Sequence, residues 1–399
     1  MPLPFVDFTV YPDECDAYGH LNQASFLSLF ERARWDIVAR GPGPNPFTTE
    51  GVWPAVRQTT IEYHAQALPG EQLRFRQRVS AMGRTSFTVQ QTAHNAGTDA
   101  LVATAQVVFV CVDRSGRPVA VPDSFRRQVT EAPDLKQISL NGVSLGVESR
   151  GEGPALLFLH GYPLAGYLWR HQVDHLDGWR RINPDLRGMG QSSAGAGPGR
   201  LEQYSDDMIA LLDQSGVERA VICGLSLGGY IAFDLVRRYR PRIAGLVLAS
   251  TRAEADTGPG RQSRDDAIRL VQRAGARGIA ETMVPRLFAS DAPGRIPTIV
   301  AEVRDRIANT GVAGIVQALE SMRDRTASQP LLASLGEIPT MVVAGASDQY
   351  IPEPNMRTLA SAIPGAVYRV IEGAGHLAPL EQSESMTAAI AGFLADIVR

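Results

Sequence analysis

The sequence is poor in cysteine, in lysine and in long apolar runs. Its three cysteines, Cys15, Cys111 and Cys223, lie far apart and show neither a disulfide framework nor a metal-ligand spacing. Only Lys136 among the 39 basic residues is a lysine, and the net charge is −3, so no nucleic-acid partner is expected. No apolar run approaches the ~20 residues of a membrane span, and the N-terminus does not read as a signal peptide. We expect a cytoplasmic protein with no membrane segment and no metal or redox cofactor.

The first part of the chain combines one long helical pattern with several strand-like stretches. Over residues 24–40, apolar residues recur at spacings of three and four, which predicts a helix whose buried face holds Phe26, Leu29, Phe30, Ala33, Ile37 and Val38. Four stretches rich in Val, Thr, Phe and Gln follow, separated by turn residues. One helix followed by an antiparallel meander predicts an α+β domain over residues 1–122. A polar, proline-broken segment follows, and residues 123–134 are predicted to be a linker.

From residue 135 to the end, short apolar runs alternate with longer helical stretches. This βαβ alternation predicts an α/β domain over residues 135–399 with a mostly parallel, doubly wound sheet. Residues 253–335 carry amphipathic stretches and no strand pattern, which predicts a helical cap over a pocket. Its mixed arginines and acids indicate solvated helix faces; the alternative is that one or two arginines bind a carboxylate or phosphate.

The stretch CGLSLGG raises the question of a nucleophile. Ser226 stands between Gly224 and Gly228, after an apolar run and before a helical pattern, as in a G-x-S-x-G nucleophile elbow. A serine needs a base and an orienting acid, and Asp348 and His376 each follow a predicted strand farther along the chain. The carboxyl ends of parallel strands meet at one sheet edge, so the three side chains are predicted to converge. The alternative is that Ser226 merely caps a helix.

An oxyanion hole is predicted from the segment His160-Gly161-Tyr162-Pro163, which follows an earlier strand. Gly161 lets the backbone swing, so that the N–H groups of Tyr162 and Leu227 face a developing oxyanion. His160 is then expected to be a structural hydrogen-bonding residue, and not the catalytic base.

The motifs of residues 135–399 resemble those of α/β-hydrolase-fold enzymes. HGYP, DLRGMGQSS, GLSLGG, GASDQYIP and EGAGHLAPLEQ occur in the family's order, nearest to the branch of 3-oxoadipate enol-lactonases, carboxylesterases and non-heme haloperoxidase-like esterases. A serine at 226, where haloalkane dehalogenases and epoxide hydrolases have aspartate, argues against those relatives. The resemblance implies a serine hydrolase that cleaves an ester, lactone or thioester through an acyl-serine intermediate. Hydrolysis of a C–C bond, or a receptor without catalysis, are the alternatives.

A second candidate site precedes the first helix. Asp16 stands just before the helix start, Gly19 permits close backbone approach, and Asn22 suits an N-cap. A carboxylate there can attack a carbonyl or activate water while helix N–H groups polarise the carbonyl oxygen. The alternative is that Asp16 and Asn22 only cap the helix.

The run from Asp16 through YGHLN to FLSLFERAR, with IEYHAQALPGEQL and VVFVCVDRSGRPVAVP, resembles hotdog-fold acyl thioesterases of the 4-hydroxybenzoyl-CoA and acyl-ACP kind. The resemblance implies that Asp16 is catalytic and that the amides around Tyr18 and Gly19 polarise the carbonyl of an acyl-CoA or acyl-carrier-protein thioester. It also implies a homodimer or tetramer formed through this domain. The alternative is that the domain only dimerises or docks an acyl carrier, and that the α/β-hydrolase domain alone is catalytic.

Overall fold

The computed structural model describes residues 5–39, 47, 51–98, 100–122, 125 and 135–397. The chain divides into two compact units, residues 1–133 and 134–399. The predicted linker, residues 123–134, lies outside the described residues except for Phe125. In the described ranges no helix is long and apolar enough to cross a membrane, and no three His, Cys, Asp or Glu side chains are grouped to hold a metal ion.

The described part of the N-terminal unit has a long helix packed against a five-stranded antiparallel sheet, the α+β layer that was predicted. The helix is α1, Gln23–Ala39, and the strands are β1 Phe5–Thr9, β2 Trp53–Tyr63, β3 Gln72–Met82, β4 Ser86–Asn95 and β5 Leu101–Val112. The strand order is β1-β3-β4-β5-β2. Strands β3 to β5 therefore form a meander as predicted, whereas β2, the first strand after the helix, crosses to the far edge beside β5.

The face of α1 that packs on the sheet differs from the prediction at one position. Five of the predicted residues are buried, namely Phe26, Leu29, Phe30, Ala33 and Ile37. Val38 is 45% exposed, so its prediction was wrong: one residue beyond Ile37 the helix has turned by ~100°. Arg34 is buried instead, and its Nη1 donates to Gln91 Oε1 at 2.8 Å. A buried arginine needs a hydrogen-bond partner, here a residue of the sheet, and a pattern of apolar residues cannot predict such a position.

The C-terminal unit is built on an eight-stranded, mostly parallel sheet. Its strands are β6 Lys136–Leu140, β7 Val143–Arg150, β8 Ala155–Leu159, β9 Arg180–Pro184, β10 Ala220–Leu225, β11 Ile243–Ala249, β12 Thr340–Gly345 and β13 Val367–Ile371. The order is β13-β12-β11-β10-β8-β9-β7-β6, with β8 to β13 mutually parallel. Strands β8, β10 and β12 are buried along their whole length, as expected for a sheet covered on both faces. The antiparallel hairpin β6–β7 at the edge was not predicted.

Helices cover the parallel sheet and fill the segment between β11 and β12. They are α2 Arg170–His175, α3 Leu201–Gln214, α4 Leu227–Tyr239, α5 Gly258–Leu287, α6 Ala292–Arg295, α7 Pro297–Ala308, α8 Val312–Arg323, α9 Glu353–Ser361, α10 Ala378–Glu381 and α11 Ser383–Ile397. Residues 250–339, all described, contain helices and no strand, as predicted for the insertion. Its longest helix, α5, is kinked at Gly275, where φ is 67°.

Candidate active site

The backbone of Ser226 turns sharply between β10 and α4. Its φ of 55° and ψ of −110° lie in a region that residues with a side chain rarely adopt. Two bonds to the end of the next strand, β11, and the residues just after it hold the turn there: Ser226 N–H donates to Ala249 O at 3.0 Å, and Thr251 Oγ1 donates to Ser226 O at 2.9 Å. The surrounding strands therefore fix this backbone conformation.

The glycines around Ser226 are required by close backbone approaches. A Cβ at Gly224 would lie 2.4 Å from Gly228 O, and one at Gly228 would lie 2.2 Å from Leu159 O. Such a Cβ would meet main-chain atoms, which no rotamer change can move away. The G-x-S-x-G pattern thus belongs to a turn that admits no side chain two residues before or two residues after the serine.

His376 and Asp348 form a buried hydrogen-bonded pair at the carboxyl ends of β13 and β12. The two atoms His376 Nδ1 and Asp348 Oδ2 are 2.8 Å apart, and the residues are 4% and 5% exposed. The other oxygen, Asp348 Oδ1, accepts from the backbone N–H groups of Tyr350 at 2.8 Å and Ile351 at 2.9 Å. Burial acts to raise the pKa of Asp348, but the charge and hydrogen bond of His376 and these two amides outweigh it, so that the pKa lies below its ordinary value. The carboxylate stays ionised and orients the imidazole.

Ser226 and His376 both belong to the described residues, and no hydrogen bond joins Ser226 Oγ to the imidazole in this structure. Catalytic hydrogen bonds are often long before substrate binds. The roles of Ser226, Asp348 and His376 as nucleophile, orienting acid and base therefore stay predictions.

The loop predicted to form the oxyanion hole lies beside Ser226. A Cβ built on Gly161 would lie 3.4 Å from the Cβ of Ser226. Neither Tyr162 N–H nor Leu227 N–H donates to any acceptor among the described residues. Two free amides beside the candidate nucleophile are what an oxyanion requires.

His160 holds this loop as the predicted structural residue. It is fully buried; Leu186 N–H donates to its Nε2 at 2.8 Å, so its proton is on Nδ1, which lies 2.9 Å from Gly161 O. Burial lowers the pKa of His160, which keeps the ring neutral and this tautomer in place. Because C=O and N–H point in opposite directions in a trans peptide, fixing Gly161 O also fixes the direction of the Tyr162 N–H.

Glu381 is a buried residue of the site that the sequence analysis missed. Its Oε1 accepts from Gly375 N–H at 2.7 Å, and its Oε2 accepts from Ala289 N–H at 2.9 Å. Next to these bonds, His376 N–H donates to Leu287 O at 3.0 Å. The loop that carries His376 is therefore bonded to the end of α5 in the helical insertion. Only the run EGAGHLAPLEQ, which contains Glu381, hinted at such a role.

In the N-terminal unit the structure places Asp16 inside a small hydrogen-bonded loop. Asp16 Oδ1 accepts from Tyr18 N–H at 2.9 Å and from His20 N–H at 3.1 Å, while Gly19 N–H donates to Asp16 O at 3.0 Å. The amide of His20, followed by that of Tyr18, lowers the pKa of Asp16. Asn22 caps α1 as predicted, since its Oδ1 accepts from Ala24 N–H at 2.8 Å. The amides of Tyr18 and Gly19 are thus occupied within the loop, and their role toward a carbonyl stays a prediction.

Each of the two parts of the chain matches the model of a known protein family. Residues 154–383 match the family model of the alpha/beta hydrolase fold, and residues 10–129 match that of the thioesterase-like superfamily. The chain belongs to the α/β hydrolase family. In front of that domain it carries a thioesterase-like domain, so the predicted two-domain architecture is confirmed.

Similar proteins include hydrolases of several kinds. The structure of a thermophilic esterase from Thermogutta terrifontis is 36% identical, with a TM-score of 0.63, covering 66% of this chain and 97% of that one. The 3-oxoadipate enol-lactonase 2 of Acinetobacter baylyi is 28% identical over 256 residues, 64% of this chain and 92% of that protein. Epoxide hydrolase 2 of Siraitia grosvenorii is 40% identical over 117 residues, but these are only 28% of this chain and 37% of that protein. The C-terminal domain is thus a hydrolase domain that is similar to esterases and enol-lactonases.

Proposed function

We propose that the C-terminal domain is a serine hydrolase that cleaves an ester, lactone or thioester through an acyl-serine intermediate. Ser226 Oγ attacks the carbonyl carbon while His376 takes its proton, and Asp348 holds the imidazole. The N–H groups of Tyr162 and Leu227 bind the oxyanion. His376 then protonates the leaving group, and water, activated by His376, releases the acid.

The observation that carries this proposal is the strained backbone of Ser226 at the same sheet edge as the buried His376–Asp348 pair. Strain of this kind persists where the surroundings enforce it and is concentrated at functional sites. The esterase and enol-lactonase names of the relatives support the choice of bond. The serine at 226 supports an acyl-serine mechanism over opening of an epoxide by a carboxylate.

Labelling with a fluorophosphonate tests the nucleophile. We expect intact-mass and peptide analysis to find the phosphonyl group on Ser226, and Ser226→Ala to lower the hydrolysis of 4-nitrophenyl butyrate by at least ~10³-fold. Ser361→Ala, at an exposed helix position, is the matched control and should leave labelling and rate unchanged. Labelling of another serine, or a Ser226→Ala variant with undiminished ester turnover, would refute the mechanism.

We further propose that the N-terminal domain is a thioesterase acting on acyl-CoA or acyl-carrier-protein thioesters. Asp16 uses only Oδ1 in its loop, and Oδ2 accepts from no described residue, so one carboxylate oxygen is left for attack on a carbonyl or for activation of water. The match of residues 10–129 to the thioesterase-like superfamily supports this role.

We also propose that the protein is a homodimer or tetramer assembled through this domain. Strand β2 lies at the sheet edge and pairs only with β5 among the described strands. Its side chains are exposed on both faces, with Trp53, Val56 and Tyr63 between 43% and 54% exposed. An edge strand of this length with exposed aromatic and aliphatic side chains is one that proteins ordinarily cover, and a second copy of the domain would do so.

A second candidate function for the N-terminal domain is a dimerisation or acyl-carrier docking module without catalysis. The occupied amides of Tyr18 and Gly19 favour it, because neither is free to polarise a carbonyl. The variant Asp16→Asn separates the two functions, since both side-chain bonds of the loop fall on Oδ1 and an asparagine keeps them.

The experiment measures thiol release from benzoyl-CoA and butyryl-CoA in a Ser226→Ala background, so that the second site contributes nothing. With a catalytic Asp16 we expect Asp16→Asn to lower turnover by about 100-fold or more. The neighbouring Asp13→Asn serves as control. Unchanged thioester turnover in Asp16→Asn would leave the domain as a module.

A further inference from the structure

Two histidines of the C-terminal unit lie face to face on helix α2. The rings of His171 and His175 have their centres 4.1 Å apart and their planes at 19° to each other. Because residues four apart are neighbours on the surface of a helix, both side chains leave α2 on the same side. His171 is half-buried and His175 is exposed, so a solute can reach the pair. Neither residue has a part in the proposed hydrolysis.

The hydrogen bonds of the two rings place a proton on Nδ1 of each. His175 Nδ1 lies 2.8 Å from His171 O, and a carbonyl oxygen can only accept, so this nitrogen donates. His171 Nδ1 lies 2.8 Å from Thr387 Oγ1 on helix α11. The single hydroxyl proton of Thr387 is donated to Ser383 O at 2.7 Å, and Gln172 Nε2 donates to the same hydroxyl oxygen at 3.1 Å. Thr387 Oγ1 therefore accepts from His171, whose Nδ1 carries the proton.

These tautomers leave the lone pair of Nε2 available on both imidazoles. Neither Nε2 forms a hydrogen bond with any described residue. Histidines that bind a metal ion usually donate their other ring N–H to a carbonyl or a similar acceptor, which fixes the tautomer and the direction of the ring. His171 and His175 both have this second hydrogen bond, so their rings are arranged for a metal ion before any ion binds.

The separation of the rings suits an ion that binds its ligands at right angles. Two imidazoles that bind one ion at about 2.0–2.1 Å and at an angle of about 90° have ring centres ~4.5 Å apart. The observed 4.1 Å is close to this separation, and small side-chain rotations make up the difference. Right angles are typical of the square-planar and tetragonal sites of Cu²⁺ and Ni²⁺, whereas Mg²⁺ and Ca²⁺ prefer oxygen ligands. No third His, Cys, Asp or Glu side chain joins the pair in the part of the chain that the structure describes, so water would complete the coordination.

We propose that the Nε2 atoms of His171 and His175 bind one divalent transition-metal ion, Cu²⁺ or Ni²⁺ in preference to Zn²⁺. Because Thr387 holds the His171 ring, a bound ion links the end of α2 to helix α11. The unfolded chain does not hold the two imidazoles together, so the ion stabilises the folded domain. The site belongs to α2 and α11, apart from the strand ends that carry the candidate catalytic residues, and no step of the proposed hydrolysis uses the ion.

The test titrates NiCl2 into the untagged, EDTA-treated full chain and follows binding by calorimetry. We expect one Ni²⁺ per chain and no binding of MgCl2. His175→Gln should weaken the binding of Ni²⁺ at least tenfold. His64→Gln, at an exposed histidine of the N-terminal unit, is the matched control and should keep the wild-type affinity. At ten times its Kd, Ni²⁺ should raise the Tm of the wild type by about 2 °C or more and leave that of His175→Gln unchanged.

A second measurement uses only the wild-type protein and so does not depend on the folding of a variant. One equivalent of Cu²⁺ is added, and pulsed electron paramagnetic resonance counts the imidazoles bound to it. We expect two. A spectrum of Cu²⁺ with a single imidazole, or an undiminished affinity of His175→Gln for Ni²⁺, would overturn the two-histidine site.

Discussion

Ser226 and Asp16, the candidate reactive residues of the two domains, are held in different ways. The backbone of Ser226 is fixed by bonds to Ala249 and Thr251 at the end of the neighbouring strand and by two glycines packed against main-chain atoms. Asp16 is fixed by a four-residue loop whose own amides it binds, and that loop is half-exposed. The first arrangement has its proposed base, acid and oxyanion donors in one chain, whereas the second leaves one carboxylate oxygen, Oδ2, without a partner among the described residues. The comparison teaches that a sequence motif predicts local geometry best where close packing excludes other residues from its positions, as at Gly224 and Gly228.

Gly228→Ala should show the largest effect, because the new Cβ would lie 2.2 Å from Leu159 O. Because this Cβ would clash with a main-chain oxygen, which no rotamer change can move, we expect a loss of about 3 kcal/mol or more in the free energy of unfolding. Urea unfolding followed by tryptophan fluorescence measures it. Gly392→Ala in α11 is the control, since nothing lies within 4 Å and a gain of about 0.5–1 kcal/mol is expected. Similar stabilities for the two variants would show that the elbow tolerates a side chain.

Glu381→Gln should show the next largest effect. A glutamine keeps one acceptor and turns an NH2 toward either Gly375 N–H or Ala289 N–H, which leaves one buried amide unpaired. We expect a loss of about 1–3 kcal/mol in the free energy of unfolding. We also expect kcat for a neutral aryl ester to fall about tenfold, since His376 follows Gly375 directly. Glu384→Gln, exposed on α11, should change neither quantity, and an equal response of both variants would contradict a positioning role for Glu381.

Gly19→Ala probes the loop of the other domain and should have a smaller effect. Gly19 has a φ of +80°, yet a Cβ there would meet nothing within 4 Å. Only the backbone conformation is costly, so we expect a loss of about 1–2 kcal/mol in the free energy of unfolding. Gly19→Asn should lose less, because asparagine tolerates this region. A loss as large as that of Gly228→Ala would mean that the loop is packed as tightly as the elbow.

The pH dependence of stability should show the smallest effect, from Asp348. Its pKa is lowered in the folded protein, so the unfolded chain binds more protons below the ordinary value, and stabilisation is lost as pH falls toward the folded pKa. The difference in free energy of unfolding between wild type and Asp348→Asn should be constant at pH values above the ordinary pKa and shrink on acidification. Urea titrations across the acidic range measure this difference. A difference that grows on acidification would contradict the lowered pKa.

Sequence patterns predicted the features that depend on neighbouring residues. Strands β2 to β5 and β8 to β13, the elbow around Ser226 and the N-cap at Asn22 are all local, and each is where the pattern indicated. The missed hairpin β6–β7 carried a local signal too. Asn141 and Gly142 both have positive φ in the turn, and an Asn-Gly pair between apolar stretches is typical of such hairpins.

Features that depend on distant partners could not be predicted. Glu381 binds the amide of Ala289, 92 residues away, and Arg34 binds Gln91, 57 residues away. Neither contact follows from a periodic pattern in the sequence. The arginines of α5 illustrate the same limit: the sequence left open whether they face solvent or an anion, and it does not show that Arg286 lies over the ring of Tyr350.

The tightly packed turn around position 226, with Gly224 and Gly228 on its two sides, has a consequence for engineering. Bonds to Ala249 and Thr251 hold main-chain atoms of residue 226, so its turn owes nothing to its hydroxyl. The side chain of the proposed nucleophile is therefore exchangeable, and we expect a thiol or a carboxylate at position 226 to leave the backbone of the turn unchanged. New chemistry at position 226 thus needs a change of one residue, with the sheet left unchanged.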